Sequence, residues 1–66
     1  MKTFGDNLRD ARLKANMTQI EISEILGINQ AVYCQYETAA KAPNINLAAK
    51  IAEILHVSLD DLVKGD

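Results

Sequence analysis

Sixty-six residues at 7.3 kDa make a single domain, 1–66: a chain this short buries only roughly 60% of the surface its unfolded form exposes and leaves no room for a two-domain enzyme. Apolar residues at 48% and charged residues at 24% are too apolar a mix for a disordered tail. No apolar run approaches the roughly 20 residues of a membrane span, and MKTFGDNLRD has acids where a signal peptide needs apolar residues, so a cytoplasmic protein without membrane partners is expected. The net charge of −2 excludes nucleic-acid binding by bulk attraction, although residues 1–41 balance five bases with five acids while residues 42–66 hold two against four.

In chain order, Thr3 followed by Asp6 is a hydroxyl and an acid at capping-box spacing, and opens the first helix. Phe4, Leu8, Ala11 and Ala15 recur at four, three and four residues, which predicts a one-sided helix over about 4–15, stopped at Asn16. Thr18 with Glu21 repeats the capping pair and opens a second helix, about 19–26, closed by Gly27. Only Gly27, Ile28 and Asn29 separate it from a third, about 30–37, capped by Asn29; a three-residue turn containing Gly between two helices has helix-turn-helix spacing. Pro43 disfavours helix at Ala42, after which Asn44 caps a fourth helix, about 45–55, with Ala48, Ile51, Ala52 and Leu55 on its apolar side. His56 is its stop, an exposed cap where a glycine would be usual. Ser58 with Asp61 opens the fifth, about 59–64. No segment reads as a strand, so the expected fold is all-α, a compact five-helix domain. Closing at Leu62 to Gly65, it would be a complete small protein ending at Asp66.

At the 3.6-residue helical period, Cys34, Thr38, Ala31 and Gln35 fall on the same side of the third helix as Gln30, and Val32, Tyr36 and Tyr33 fall on the other. One side packs and the other is presented. Short polar side chains let a helix enter a major groove about 12 Å wide, where Gln pairs bidentately with adenine and Ala packs on a thymine methyl. Gln30, Ala31, Cys34 and Gln35 are the candidate base-reading residues; the alternative is a merely solvated face, which would more typically carry Lys and Glu. Glu37 and Arg12 both lie at the edge of an apolar stripe and are expected to meet as a partly buried structural ion pair.

The stretch from Thr18-Gln19 through Gly27, Glu37, Pro43, Lys50 to Ala52 and Leu55 to Leu59, ending at Leu62, resembles the phage repressor and Cro-like (XRE) helix-turn-helix family, with Phe4 to Met17 matching its first helix. The resemblance covers about 60 of the 66 residues. It implies a five-helix DNA-binding domain, usually a homodimer, whose recognition helix 30–37 enters the major groove of a palindromic operator on double-stranded DNA with half-sites about 34 to 36 Å apart. It further implies that Gln19 holds a phosphate and braces Gln30, that Gln30, Ala31 and Gln35 face bases, and that Arg12 and Glu37 form the buried pair.

This sequence departs from the family pattern at Ala39, where Gly is common and a basic residue often adjoins. The loop after the recognition helix is therefore expected to close differently and to lose phosphate contacts, leaving Thr18, Gln19, Thr38, Lys41, Asn44 and backbone N–H groups to hold phosphates. Ile20, Ile25, Leu47 and Ile54 are apolar where relatives usually carry polar residues. Leu47 and Ile54, with Val57, Leu59 and Val63, are read as a dimer interface, the alternative being an enlarged core. Glu21 and Glu24 form an acidic edge where some activating relatives touch RNA polymerase, although solvated capping charges are the simpler reading.

One cysteine and one histidine leave no disulfide, too few soft ligands for a structural zinc and no catalytic constellation, so no metal, no cofactor and no enzyme activity are expected. The function expected is a sequence-specific transcriptional regulator, by default a repressor. The rival is a protein-interaction or adaptor module on the same fold.

Overall fold

The computed structural model describes residues 3–64, so Gly65 and Asp66, at the expected close of the domain, lie outside the described residues. Five helices follow in order: α1 (Phe4–Lys14), α2 (Gln19–Leu26), α3 (Gln30–Glu37), α4 (Ile45–Leu55) and α5 (Leu59–Val63). The expected all-α five-helix architecture holds, with two ends shorter by one residue: Ala15 and Lys64 are C-caps.

Local chemistry accounts for each start. Thr3, Thr18 and Ser58 each accept from the backbone N–H three residues on, while Asp6, Glu21 and Asp61 reach back to the cap N–H, three reciprocal boxes. Asn29 Oδ1 accepts from the Ala31 N–H and Asn44 Oδ1 from the Leu47 N–H. The ends share a device as well. Asn16, Gly27 and His56 take the left-handed conformation (φ 58°, 72° and 58°), and the next residue, Met17, Ile28 or Val57, returns its N–H to a carbonyl five residues back: Arg12, Ser23 and Ala52. Each of those three residues is apolar and packs on the core, so one turn both satisfies helix-end carbonyls and folds the chain inward.

The core comprises Leu8, Ile22, Leu26, Tyr33, Tyr36, Ile51, Ala52, Leu55 and Leu62. Tyr33 and Tyr36 meet edge to face, centroids 6.4 Å apart. Residue types not singled out by the sequence patterns set how the helices meet. Gly5 in the first turn of α1 lies so close to α3 that a Cβ there would sit 2.1 Å from the Glu37 carbonyl oxygen, so only glycine permits this approach. Asn7 donates from Nδ2 to the carbonyls of Leu62 (3.0 Å) and Lys64 (2.7 Å), capping α5 from α1 with a side chain 55 residues away. α1 thus lies between α3 and α5 and touches both.

Of the residues read as a dimer interface, Leu47, Ile54, Val57 and Leu59 are half-buried against the core, whereas Val63 is 62% exposed. Four of the five therefore enlarge the core and offer only an edge to a partner. No helix among the described residues is long and apolar enough to cross a membrane.

Candidate nucleic-acid interface

α2 and α3, joined by Gly27, Ile28 and Asn29, form a helix-turn-helix. Gln30, Ala31, Gln35 and Thr38 are exposed along one side of α3, while Tyr33, Tyr36 and Glu37 are buried on the other. Cys34, expected on the presented face, is half-buried: around the helix axis it stands closer to Glu37 than Ala31 or Gln35 do. It belongs to the flank of the presented surface more than to its crest.

The buried side of α3 is fixed through one carboxylate. Arg12 of α1 donates from Nε to Glu37 Oε2 (2.6 Å) and from Nη2 to Oε1 (3.2 Å); Tyr33 Oη donates to Oε2 (2.7 Å) and Gln19 Nε2 of α2 to Oε1 (3.0 Å). Arg12 Nη1 also donates to the Met17 carbonyl (2.8 Å), tying down the α1–α2 turn. Burial pushes the Glu37 carboxyl up, but the hydrogen bonds from Arg12, Tyr33 and Gln19 outweigh it and hold the group below its ordinary value. The hydrogen bond with Glu37 holds the Arg12 guanidinium above its ordinary value despite burial. Burial, then the bond to Glu37, pushes the Tyr33 phenol up. Helices α1, α2 and α3 meet at this fully bonded ion pair, whose side chains are 11% and 4% exposed.

Gln19 therefore braces a different residue from the one the family resemblance implied. Its amide nitrogen is engaged by Glu37 and not by Gln30, because a buried carboxylate is a stronger acceptor than a surface amide. The other candidate phosphate contacts are distributed around the ends of α2, α3 and α4. Thr18 is exposed, but its own N–H is held by Glu21 Oε1 (2.8 Å), which sets an acid beside that contact. Thr38 Oγ1 donates to the Gln35 carbonyl at 3.3 Å, a long bond. The same carbonyl accepts from the Lys41 N–H (3.2 Å), so the loop after α3 folds back onto the helix. Asn44 is exposed and uses its carbonyl oxygen as the α4 cap.

The loop after α3 closes with an alanine where glycine is common in the family. Ala39 itself takes the left-handed conformation, φ 66°, against the steric preference of a residue with a Cβ. Around α3 itself acid is compensated: from Ile25 to Ala52 Glu37 alone is acidic, and Arg12 neutralises it. The net charge of −2 thus resides away from α3. Glu21 and Glu24 lie on the outer side of α2, between Ile20 and Ile25, which are 53% and 54% exposed.

Residues 8–62 match the family model described as Helix-turn-helix. The chain is 36% identical over 63 residues to an uncharacterized HTH-type transcriptional regulator of Bacillus subtilis, YqaE, covering 96% of this chain and 54% of that one. Against the SPbeta prophage-derived uncharacterized HTH-type transcriptional regulator YonR of the same organism, identity is 34% over 62 residues, 94% of this chain and 57% of the relative. Against the cryptic phage CTXphi transcriptional repressor RstR of Vibrio cholerae it is 27% over 60 residues, 91% and 54%. The chain spans about half the length of these curated relatives.

Proposed function

Because the chain belongs to the helix-turn-helix family of phage repressor and Cro-like regulators, we propose that it is a sequence-specific DNA-binding transcriptional regulator, a repressor by default since occupancy alone blocks a promoter. Residues 1–66 form one DNA-binding domain on this reading. The observation that carries it is the division of α3 into an exposed face of Gln30, Ala31 and Gln35 and a buried face locked by Glu37. A helix whose backbone is held from behind presents side chains at fixed positions, as base readout in the major groove requires. Cys34 contributes a small side chain beside the readers, and Thr18, Gln19, Thr38, Lys41 and Asn44 hold phosphates and set the register.

The operator is palindromic and is bound by a homodimer through the edge of Leu47, Ile54, Val57, Leu59 and the exposed Val63. Twofold symmetry in the protein then matches twofold symmetry in the site. Sedimentation of a monomer at tens of micromolar, with or without operator, would refute the dimer. Exposed Ile20 and Ile25 beside Glu21 and Glu24 favour an additional protein contact on α2, RNA polymerase being one such partner.

The test is selection of bound sequences from a random duplex library at physiological salt, run beside the double variant Gln30→Ala, Gln35→Ala. An inverted repeat enriched by the wild type and lost in the variant is expected. Failure to enrich, with helical circular dichroism intact, would overturn the DNA-binding reading in favour of an interaction module.

A further inference from the structure

We infer that Arg9 is a phosphate-binding residue of the interface, reaching from α1 to the C-terminal end of the recognition helix; the assignment rests on the DNA-binding reading above and deepens it. Gly5 is the point where α1 touches α3, within van der Waals reach of the Tyr36 and Glu37 carbonyls. Arg9 stands one helical turn further on, and side chains of a helix lean toward its N-terminus, so the arginine covers the turn that contains Gly5.

Its direction follows from its neighbours. Going around the α1 axis at the helical period, the core-facing residues Ala11, Phe4 and Leu8 come first, followed by Arg12 and Gly5, which touch α3. Arg9 comes next in the same rotation, past α3 and away from the core. The readers Gln30, Ala31 and Gln35 also turn away from the core, so both lie on the outer side of the α1–α3 contact.

The local charge supports this. α3 has no basic residue in its last turn, so its carbonyl end, with the negative pole of the helix dipole, would repel a phosphate drawn to Thr38. Lys41 in the following loop is the nearest base in the chain, and any further cation at that end must come from another element. Arg9 is exposed and, among the described residues, outside both ion pairs. A guanidinium also matches phosphate geometry bidentately.

The experiment compares wild type, Arg9→Gln and Lys14→Gln for binding to a labelled random-sequence duplex between about 50 and 200 mM salt, with thermal unfolding of each. Phosphate contacts do not depend on sequence, so no operator is required. Lys14 lies on the opposite side of α1, lining a cleft with Val57 and Asp61, and its loss changes net charge by the same amount. Arg9→Gln is expected to weaken binding about five- to tenfold and to flatten the plot of log affinity against log salt by about one per protomer, while Lys14→Gln leaves the slope unchanged. An unchanged slope in Arg9→Gln, or an equal change in both variants, overturns the assignment while the DNA-binding reading stands. Loss of thermal stability in Arg9→Gln without a change of slope makes the residue a structural partner of α3 and also overturns it. Wild-type protein that binds no duplex overturns the DNA-binding reading itself, and this assignment with it.

Discussion

Glu37 accepts four hydrogen bonds on its two oxygens, so protonating it costs more in the folded chain than in the unfolded one. Its folded pKa lies below the ordinary value of 4.5. As pH falls, the unfolded carboxyl takes its proton first; the stabilisation is complete above about pH 4.5 and is lost as pH drops through the lower folded pKa. Glu37→Gln is expected to cost about 3 kcal/mol near neutrality, because the guanidinium of Arg12 loses its counter-charge. That gap should narrow steadily in acid; urea titrations at a series of pH values check it, and a pH-independent gap would contradict the argument. Ala39 makes the opposite prediction. With φ at 66°, Ala39→Gly relieves the Cβ strain at some cost in chain entropy, for a net gain of about 1 kcal/mol, read as a higher urea midpoint. The position was conspicuous in the sequence as a departure from the family pattern. Its conformation is not legible there, because a residue with a Cβ is not expected in the left-handed region and the bond that folds the loop back, Lys41 N–H to the Gln35 carbonyl, spans six residues.

At the scale of the helix, starts and stops are written in neighbours three to five residues apart, and the caps at Thr3, Thr18, Asn29, Asn44 and Ser58 could be read directly for that reason. Packing is written elsewhere. Nothing local marks Asn7 as the cap of α5, since its partners lie at Leu62 and Lys64, and Gly5 signals only that a poor helix former sits in a first turn. Arg12 and Glu37 could be paired from their places at the edges of apolar stripes, but Gln19 and Tyr33 as further donors depend on the angle between helices. Asn7→Ala leaves the carbonyls ending α5 short of their donor. It should destabilise the fold by about 2 kcal/mol, lowering the melting temperature by roughly 10 °C. Hydrogen exchange is expected to quicken first in α5, while the α2–α3 amides keep their protection; uniform acceleration would mean that α5 does not open separately.

For the molecule as a whole, an acidic chain that binds a polyanion must rely on few and well-placed contacts. On the proposed reading, Arg9 and Lys41 are the interface cations, and Thr18, Gln19, Thr38 and Asn44 are neutral. In the proposed homodimer that makes about four phosphates neutralised, for an expected loss of affinity on the order of 10²-fold between about 50 and 200 mM salt. A loss beyond about 10³-fold would show that more charge is engaged. Described residues span 29 × 23 × 21 Å, with α3 on one side of α1 and α5 on the other. In the proposed homodimer, two copies joined near α5 would hold their α3 helices far from the symmetry axis, as half-sites one turn of DNA apart require. The separation of α3 into a bonded face and an exposed one also governs how such a protein can change. Gln30, Ala31 and Gln35 hold up no part of the fold, so a library randomised at those three positions should return mostly folded members that differ in operator preference. New regulatory addresses become accessible by drift across a neutral network of sequences, with Glu37 and its donors as the constant frame.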